Sequence, residues 1–248
     1  MNLSDRGLRT SNFTYQILKK EILRYRNKII MAFLIGSVFF ISLTSVEIKN
    51  FSLIEVFQAA YSFDFLLFIF LLLFIFLISD ILANYDKSIL LTRNSDLNSW
   101  CIQKISVCLY SAICYVPFIN ALFLLSIFVH RFTGMVSLKF VVFWIFSILF
   151  QVMGFTIMGL LYLLISNVTK YKVIAGIVTY VIVIIPNLIQ GMFYAKVNGF
   201  ANYMFLTNLN QDFTITDLIL QLIVFSIIGM ILLFLNLIVV KKKDLYLE

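Results

Sequence analysis

The residues that could do chemistry in this chain are few. There is one histidine, His130, and three cysteines, Cys101, Cys108 and Cys114, that fall in or beside a single apolar segment. The cysteines lack paired spacing, so they give no disulfide framework and, with one histidine, no metal site. A His-Glu-x-x-His zinc site is impossible here, and neither a Gly-rich phosphate loop nor a Gly-x-Ser-x-Gly elbow is present. His130 stands between Val129 and Arg131 at the end of an apolar segment. An interfacial side chain is a better reading there than a catalytic base. The sequence therefore predicts no enzyme, no bound metal and no cofactor of the chain's own.

What remains is a short set of polar residues inside apolar segments. Asp64 lies near the start of one, and acids within a membrane are functional candidates by default. The competing reading is a snorkelling or helix-N-terminal group near the outer end. Asn120 follows Pro117, whose missing N–H frees a carbonyl that the amide could satisfy. Gln151 sits in mid-segment, and Asn187 follows Pro186. Amides in such places are expected to bond between helices, the sharper alternative being contact with a substrate. Gly154 and Gly159 are five apart, one more than a close helix–helix contact of the Gly-x-x-x-Gly kind requires. No file of acids and bases crosses the segments, and no inverted repeat relates the two halves. Any active transport must then be powered by another polypeptide.

The elements that hold these residues are written in the composition. Of 248 residues, 62% are hydrophobic and 12% charged, with a mean hydropathy of +1.02. Soluble domains sit near ~45–50% and ~25%. Six apolar segments, at 29–46, 62–83, 102–129, 138–165, 173–194 and 217–240, are each long enough to cross ~30 Å of hydrocarbon. The expected fold is an all-α membrane protein, one domain over 1–248, with six transmembrane helices. The polar residues 1–28 make a lead unlike a signal peptide, so the first segment is read as retained. Lys and Arg count seven before residue 29, three in 83–104, two in 166–172 and three in the tail, fifteen in all. The alternate loops hold four: Lys49, Arg131, Lys139 and Lys196. That asymmetry puts both termini in the cytoplasm. It also accounts for the net charge of +7 without nucleic acid.

Three segments outside the spans are distinctive. In 13–28, Tyr15, Leu18, Ile22 and Tyr25 fall on one helical stripe opposite Lys20, Arg24 and Lys28, as in an interfacial amphipathic helix. The cytoplasmic loop 80–97 alternates apolar and charged residues, with Ser88 to Leu91 able to form a short helix and Asn94 or Ser95 to cap the next one. Its apolar residues need either the protein's own helix ends or a partner. The outer segment 187–216 carries Phe193, Tyr194, Phe200, Tyr203, Met204, Phe205 and Leu206, too apolar for a solvated loop. Pro186 and Gly191 are expected to break the helix at its start, leaving helical pieces folded back into the membrane.

This arrangement resembles the type-2 ATP-binding-cassette (ABC) exporter permeases, whose ATPase is a separate chain. Residues 13–28 resemble their basic elbow helix. Their loop between helices two and three reads roughly acid, spacer, Gly-Thr, Leu-Leu, Pro-x-Ser-Arg, then Lys. Here it is matched by Asp80, by Asp86-Lys-Ser-Ile-Leu-Leu-Thr-Arg-Asn-Ser95 and by Lys104, with Lys87-Ser88 in place of Gly-Thr and no proline. Segment 187–216 is similar to their membrane-dipping stretch, and Lys243-Asp244-Leu245 to their basic C-terminal end.

The resemblance implies that 80–97 couples to the ATPase through Asp86, Leu90, Leu91, Thr92 and Arg93. It implies two permease subunits rocking around a cavity at their seam, formed mainly by helices one, two and five. ATP and Mg would bind the partner. The substrate-path candidates are Asp64, Asn120, Asn187, Phe193 and Tyr194. Abundant Asn, Lys, Ile and Phe point to an AT-rich bacterium, where small permeases of this shape export peptides or give immunity to them; the phenol-soluble modulin exporters are similar. The expected function is outward export of an amphipathic or hydrophobic substrate, peptide or lipid-like, across the plasma membrane. The alternatives are a non-transporting immunity or sensor protein that binds peptides outside, and a secondary transporter or membrane enzyme, disfavoured by the scarcity of intramembrane charge.

Overall fold

The computed structural model describes residues 52–62, 64–90, 97–129, 137–169, 171–193, 199–209 and 213–244. The elbow stretch 13–28, the apolar segment 29–46 and His130 lie outside them. Every regular element among the described residues is helical: α1 Leu53–Ser62, α2 Asp64–Leu90, α3 Leu97–Val129, α4 Leu138–Thr169, α5 Lys172–Phe193, α6 Phe200–Met204 and α7 Ile215–Asp244. Among the described residues, three stretches, Trp100–Leu125, Leu138–Thr169 and Ile215–Lys242, are long and apolar enough to cross a membrane, and Ile69–Asn84 and Lys172–Pro186 are apolar as well. The exposed faces are apolar too. Ile177 and Ile185 on α5, and Ile223, Met230 and Phe234 on α7, all face outward. A helix in water shows the reverse pattern, so these faces belong against lipid. The chain is a helical membrane protein.

Local chemistry sets where several helices start. At α1, the Ser52 Oγ accepts from the Glu55 N–H (3.3 Å) while the Glu55 carboxylate accepts from the Ser52 N–H, a reciprocal capping box. Thr214 and Asp217 repeat it at α7, with the Thr214 N–H donating to Asp217 Oδ2 at 2.8 Å. The Ser137 hydroxyl caps α4 by accepting from the Phe140 N–H at 3.1 Å. Two prolines sit inside helices without ending them, Pro117 in α3 and Pro186 in α5.

Relative directions follow from which residues meet. Cys108 packs on Gly159 and Asn120 bonds Gln151, so α3 runs antiparallel to α4. Phe74 meets Phe155 (ring centroids 4.7 Å apart) and the Tyr162 hydroxyl donates to Ser79 Oγ at 2.8 Å, so α2 runs parallel to α4. Phe150 meets Phe225 and the Asn236 amide donates to the Leu160 carbonyl at 3.1 Å, so α7 also runs with α4. Helix α5 begins three residues after α4 ends and packs back on it, with Gly176 against Ile75 and Tyr162. Helix α4 is the centre of the bundle, and its buried phenylalanines (Phe143, Phe150 and Phe155) meet rings from α1, α2 and α7.

Three expectations change. A capped helix, α1, precedes the second span. Phe57 packs edge-on to Phe123 and the Tyr61 hydroxyl donates to the Ile119 carbonyl at 3.2 Å, while further on Tyr115 donates to the Phe70 carbonyl. Thus α1 and α2 descend α3 as one path with residue 63 between them. The segment 80–97 is not a loop throughout, since α2 stays helical to Leu90 and α3 resumes at Leu97. Nor does Pro186 break its helix; α5 runs on to Phe193. A proline removes one backbone bond, a loss that a packed helix in lipid tolerates when neighbouring groups take up the freed carbonyl.

Candidate functional site

Halfway along α4 two features come together. The first is a polar file across the α3–α4 seam. Asn120 Nδ2 donates to Gln151 Oε1 at 2.7 Å and to the Val116 carbonyl at 3.0 Å. Trp144 Nε1 donates to Asn120 Oδ1 at 3.0 Å, and Gln151 Nε2 donates to Ser147 Oγ at 3.1 Å. Trp144, Ser147 and Gln151 fall at i, i+3 and i+7, one face of α4, which is why a single residue of α3 can close the file. Asn120, Ser147 and Gln151 are all buried. With no water in hydrocarbon, each amide left alone would be costly, so the file fixes the register of the two helices. The carbonyl that Asn120 takes is that of Val116. The one that Pro117 leaves without a donor is Ile113's, four residues before it, so the expected link between kink and amide does not form.

Beside this file opens a cavity of about 250 Å³, lined by Val116, Pro117, Ala121, Leu124, Ile148, Trp144 and Asn120. Its walls are apolar, suited to a hydrocarbon or aromatic group. The polar atoms of Asn120 are engaged within the protein, so the cavity offers shape more than hydrogen bonds.

The second feature is the segment 199–209, folded into the bundle as α6 and a turn. Ala201, Met204, Phe205 and Leu206 are fully buried. Met204 fills the notch left by Gly154: a Cβ there would lie 2.5 Å from Met204 Cγ and Sδ. The Phe205 ring stacks on Tyr61 at 4.9 Å with a 12° tilt. Leu206 takes a left-handed φ of 55°, a conformation costing ~1–2 kcal/mol outside glycine. Gln58 offsets this by donating its amide to the carbonyls of Leu206 (3.1 Å) and Leu209 (2.8 Å). The irregular backbone of this buried turn is thereby satisfied by protein.

No family model matches this chain, and no curated protein does.

Of the residues singled out from sequence, the structure joins Asn120 to Gln151. Asp64 is the first residue of α2, with α1 stacked beyond it, so it lies further along the path than a span starting at 62 would put it. Asp86 and Leu90 fall in the last turns of α2, and Asn187 and Phe193 in α5 beyond Pro186, their side chains outside the description. Leu91, Thr92, Arg93 and Tyr194 lie outside the described residues. Sequence reasoning missed Gln58, Tyr61, Trp144 and Ser147. The box Ser52-x-x-Glu55 was the available signal for α1, and the spacing of Trp144, Ser147 and Gln151 for the file. Nothing in the sequence pairs Gln58 with Leu206.

Proposed function

We propose that this chain is the membrane-spanning permease subunit of an ATP-driven exporter, moving an amphipathic or hydrophobic substrate of the peptide kind outward. A separate ATP-binding-cassette ATPase would bind ATP and Mg and supply the power, and a second permease subunit would complete the path. The observation that carries this reading is the form of the α2–α3 connection. Towards its end α2 carries Asp80, Asp86 and Lys87 yet stays helical to Leu90, and α3, helical from Leu97, carries Asn98, Ser99 and Lys104 in its first turns. Both helices therefore turn polar where they approach their connection, at one end of the bundle. A helix end whose sequence sets leucines among charged residues is suited to a groove on a soluble partner. Asp86, Leu90, Leu91, Thr92 and Arg93 are the contacts assigned to it.

The topology in this reading is six spans, with 29–46 added to the five apolar helices. The fifteen-to-four split of Lys and Arg supports cytoplasmic termini in the plasma membrane. The test is co-purification in mild detergent with the ATPases of the same host, then hydrolysis in lipid. A stable complex whose hydrolysis rises with amphipathic peptides is expected, and Leu90→Asp with Leu91→Asp should abolish the complex while leaving insertion intact. No complex with any ATPase would overturn the reading in favour of an immunity or sensor protein.

A further inference from the structure

The cavity beside the Asn120 file has a floor, two walls and an open side. Val116 and Asn120 of α3 are buried and form the floor. Trp144 and Ile148, one turn apart on α4, form one wall, and Pro117, Ala121 and Leu124 of α3 form the other. Those last three are exposed, so the cavity opens at the surface. Around the opening the surface stays apolar: Ile113 lies one turn before Pro117, and Ile145 and Leu149 stand next to Trp144 and Ile148, all exposed. That surface is the lipid-facing one, and the cavity is a groove in it.

Shape and chemistry narrow what can lie there. The α3 lining runs from Val116 to Leu124, about 12 Å at 1.5 Å per residue. Because α3 and α4 are antiparallel, the groove between them follows the helix axes. Asn120 gives both amide hydrogens to Gln151 and the Val116 carbonyl, and Trp144 gives its N–H to Asn120. No side-chain N–H of the lining is left for a phosphate or a sugar. An ordered water would lack polar partners in this space of about 250 Å³. Left empty, the walls would forfeit dispersion contacts along one side.

Position supplies the occupant. The Ser137 cap of α4 and the end of α3 at Val129 share one end of the bundle. Trp144 lies about 10 Å inside that end along α4, and Leu124 about 8 Å inside it along α3. At the other limit, Val116 sits one turn from Asn120, whose partner Gln151 is near the middle of α4. The groove therefore stays within one leaflet, on the side of the α3–α4 connection, and runs parallel to the lipid tails there.

We propose that this groove holds one acyl tail of a membrane lipid from that leaflet, seated between Ala121 and Trp144 and covering the Asn120–Trp144 bond. It continues the surface that already faces lipid, and it selects a tail by shape without touching the headgroup. Ala121 makes the room, being the smallest side chain of the lining. The proposal rests on the membrane character of the bundle and not on transport.

The test is quenching of Trp144 by brominated lipid. The chain has two tryptophans, so Trp100→Phe leaves Trp144 as the sole indole. In vesicles of phosphatidylcholine brominated along its tails, its fluorescence should be quenched. Ala121→Phe fills the groove and should remove most of that quenching; Ala121→Leu, a smaller filler, should remove part. Ile145→Trp, in a chain with Trp100→Phe and Trp144→Phe, reports the surrounding bilayer. It should be quenched equally with and without Ala121→Phe. Phosphatidylglycerol with the same brominated tails should quench Trp144 as well as phosphatidylcholine does. Quenching of Trp144 that neither filler reduces would overturn the proposal, because the bromines would then reach the indole from the bulk bilayer. A Trp144 that is not quenched at all would overturn it too, and quenching gained on diluting the protein in lipid would then identify a second copy as the occupant. Relief of quenching by an added amphipathic peptide would give the groove to the peptide instead. None of these readouts needs an ATPase, so they fail or succeed independently of the exporter reading.

Discussion

At the scale of single residues, the contact with most leverage is the Asn120–Gln151 bond. Asn120→Leu strands Gln151 Oε1 and Trp144 Nε1 in a buried seam, and a stranded buried group costs about 1–3 kcal/mol. Gln151→Leu takes the donor from Ser147 Oγ and one acceptor from the Asn120 amide, which keeps Val116 and Trp144. The double change leaves less unpaired than the two single changes together, so the losses should fall short of additive by about 0.6–1.7 kcal/mol, the range for such bonds in membranes. Unfolding in mixed detergent of the four chains of this cycle measures it. Strict additivity would mean the two amides do not share a bond in lipid. A second residue to probe is Gly154. Gly154→Ala puts a methyl group into Met204, and overpacking of this sort costs about 1–3 kcal/mol. Met204→Ala in the same chain opens the space again and should recover most of the loss in thermal midpoint. If Gly154→Ala alone is neutral, Met204 does not occupy the notch.

Elements differ in how openly the sequence declares them. The long spans were legible because lipid selects composition over many residues, and α3, α4 and α7 could hardly read otherwise. Helix α1 was hidden by the same habit of averaging. A hydropathy window that begins at 62 passes over the Ser52–Glu55 box, although the box states a helix start in four residues. Asn120 and Gln151 were legible as polar residues wanting an interhelical bond, but not as each other's partner, since that depends on the antiparallel register of α3 and α4. Gln58 and Leu206 stand 148 residues apart, and no local pattern foretells their bond. The reading of α1 has its own test. Ser52→Ala removes the side-chain half of the cap and should destabilise the first turn by about 1 kcal/mol, seen as faster hydrogen exchange at Val56 and its neighbours while exchange in α4 is unchanged. Uniform protection in both chains would mean that packing of Phe57 and Tyr61, and not the cap, holds α1.

For the whole molecule, the directions of the helices reduce topology to one unknown. Helices α2, α4 and α7 run one way, and α3 and α5 the other. The start of α1, the start of α4 and the start of α7 must then lie at one end of the bundle, with the connection after Leu90, the turn after Thr169 and the lysines after Val240 at the other. Fixing the side of a single residue fixes all of them. In the proposed topology the end with Lys172, Lys241 and Lys242 faces the cytoplasm. A thiol placed by Ser52→Cys should therefore react with a membrane-impermeant maleimide added to intact cells, and one placed by Lys242→Cys only after the cells are opened. Labelling of both in intact cells would contradict the alternation of the helices, because an odd number of crossings separates the two positions. Labelling of Lys242→Cys alone would keep the bundle but invert it in the membrane. The connected ends of α2 and α3 would then face away from ATP, and no cytoplasmic ATPase could drive the protein through them.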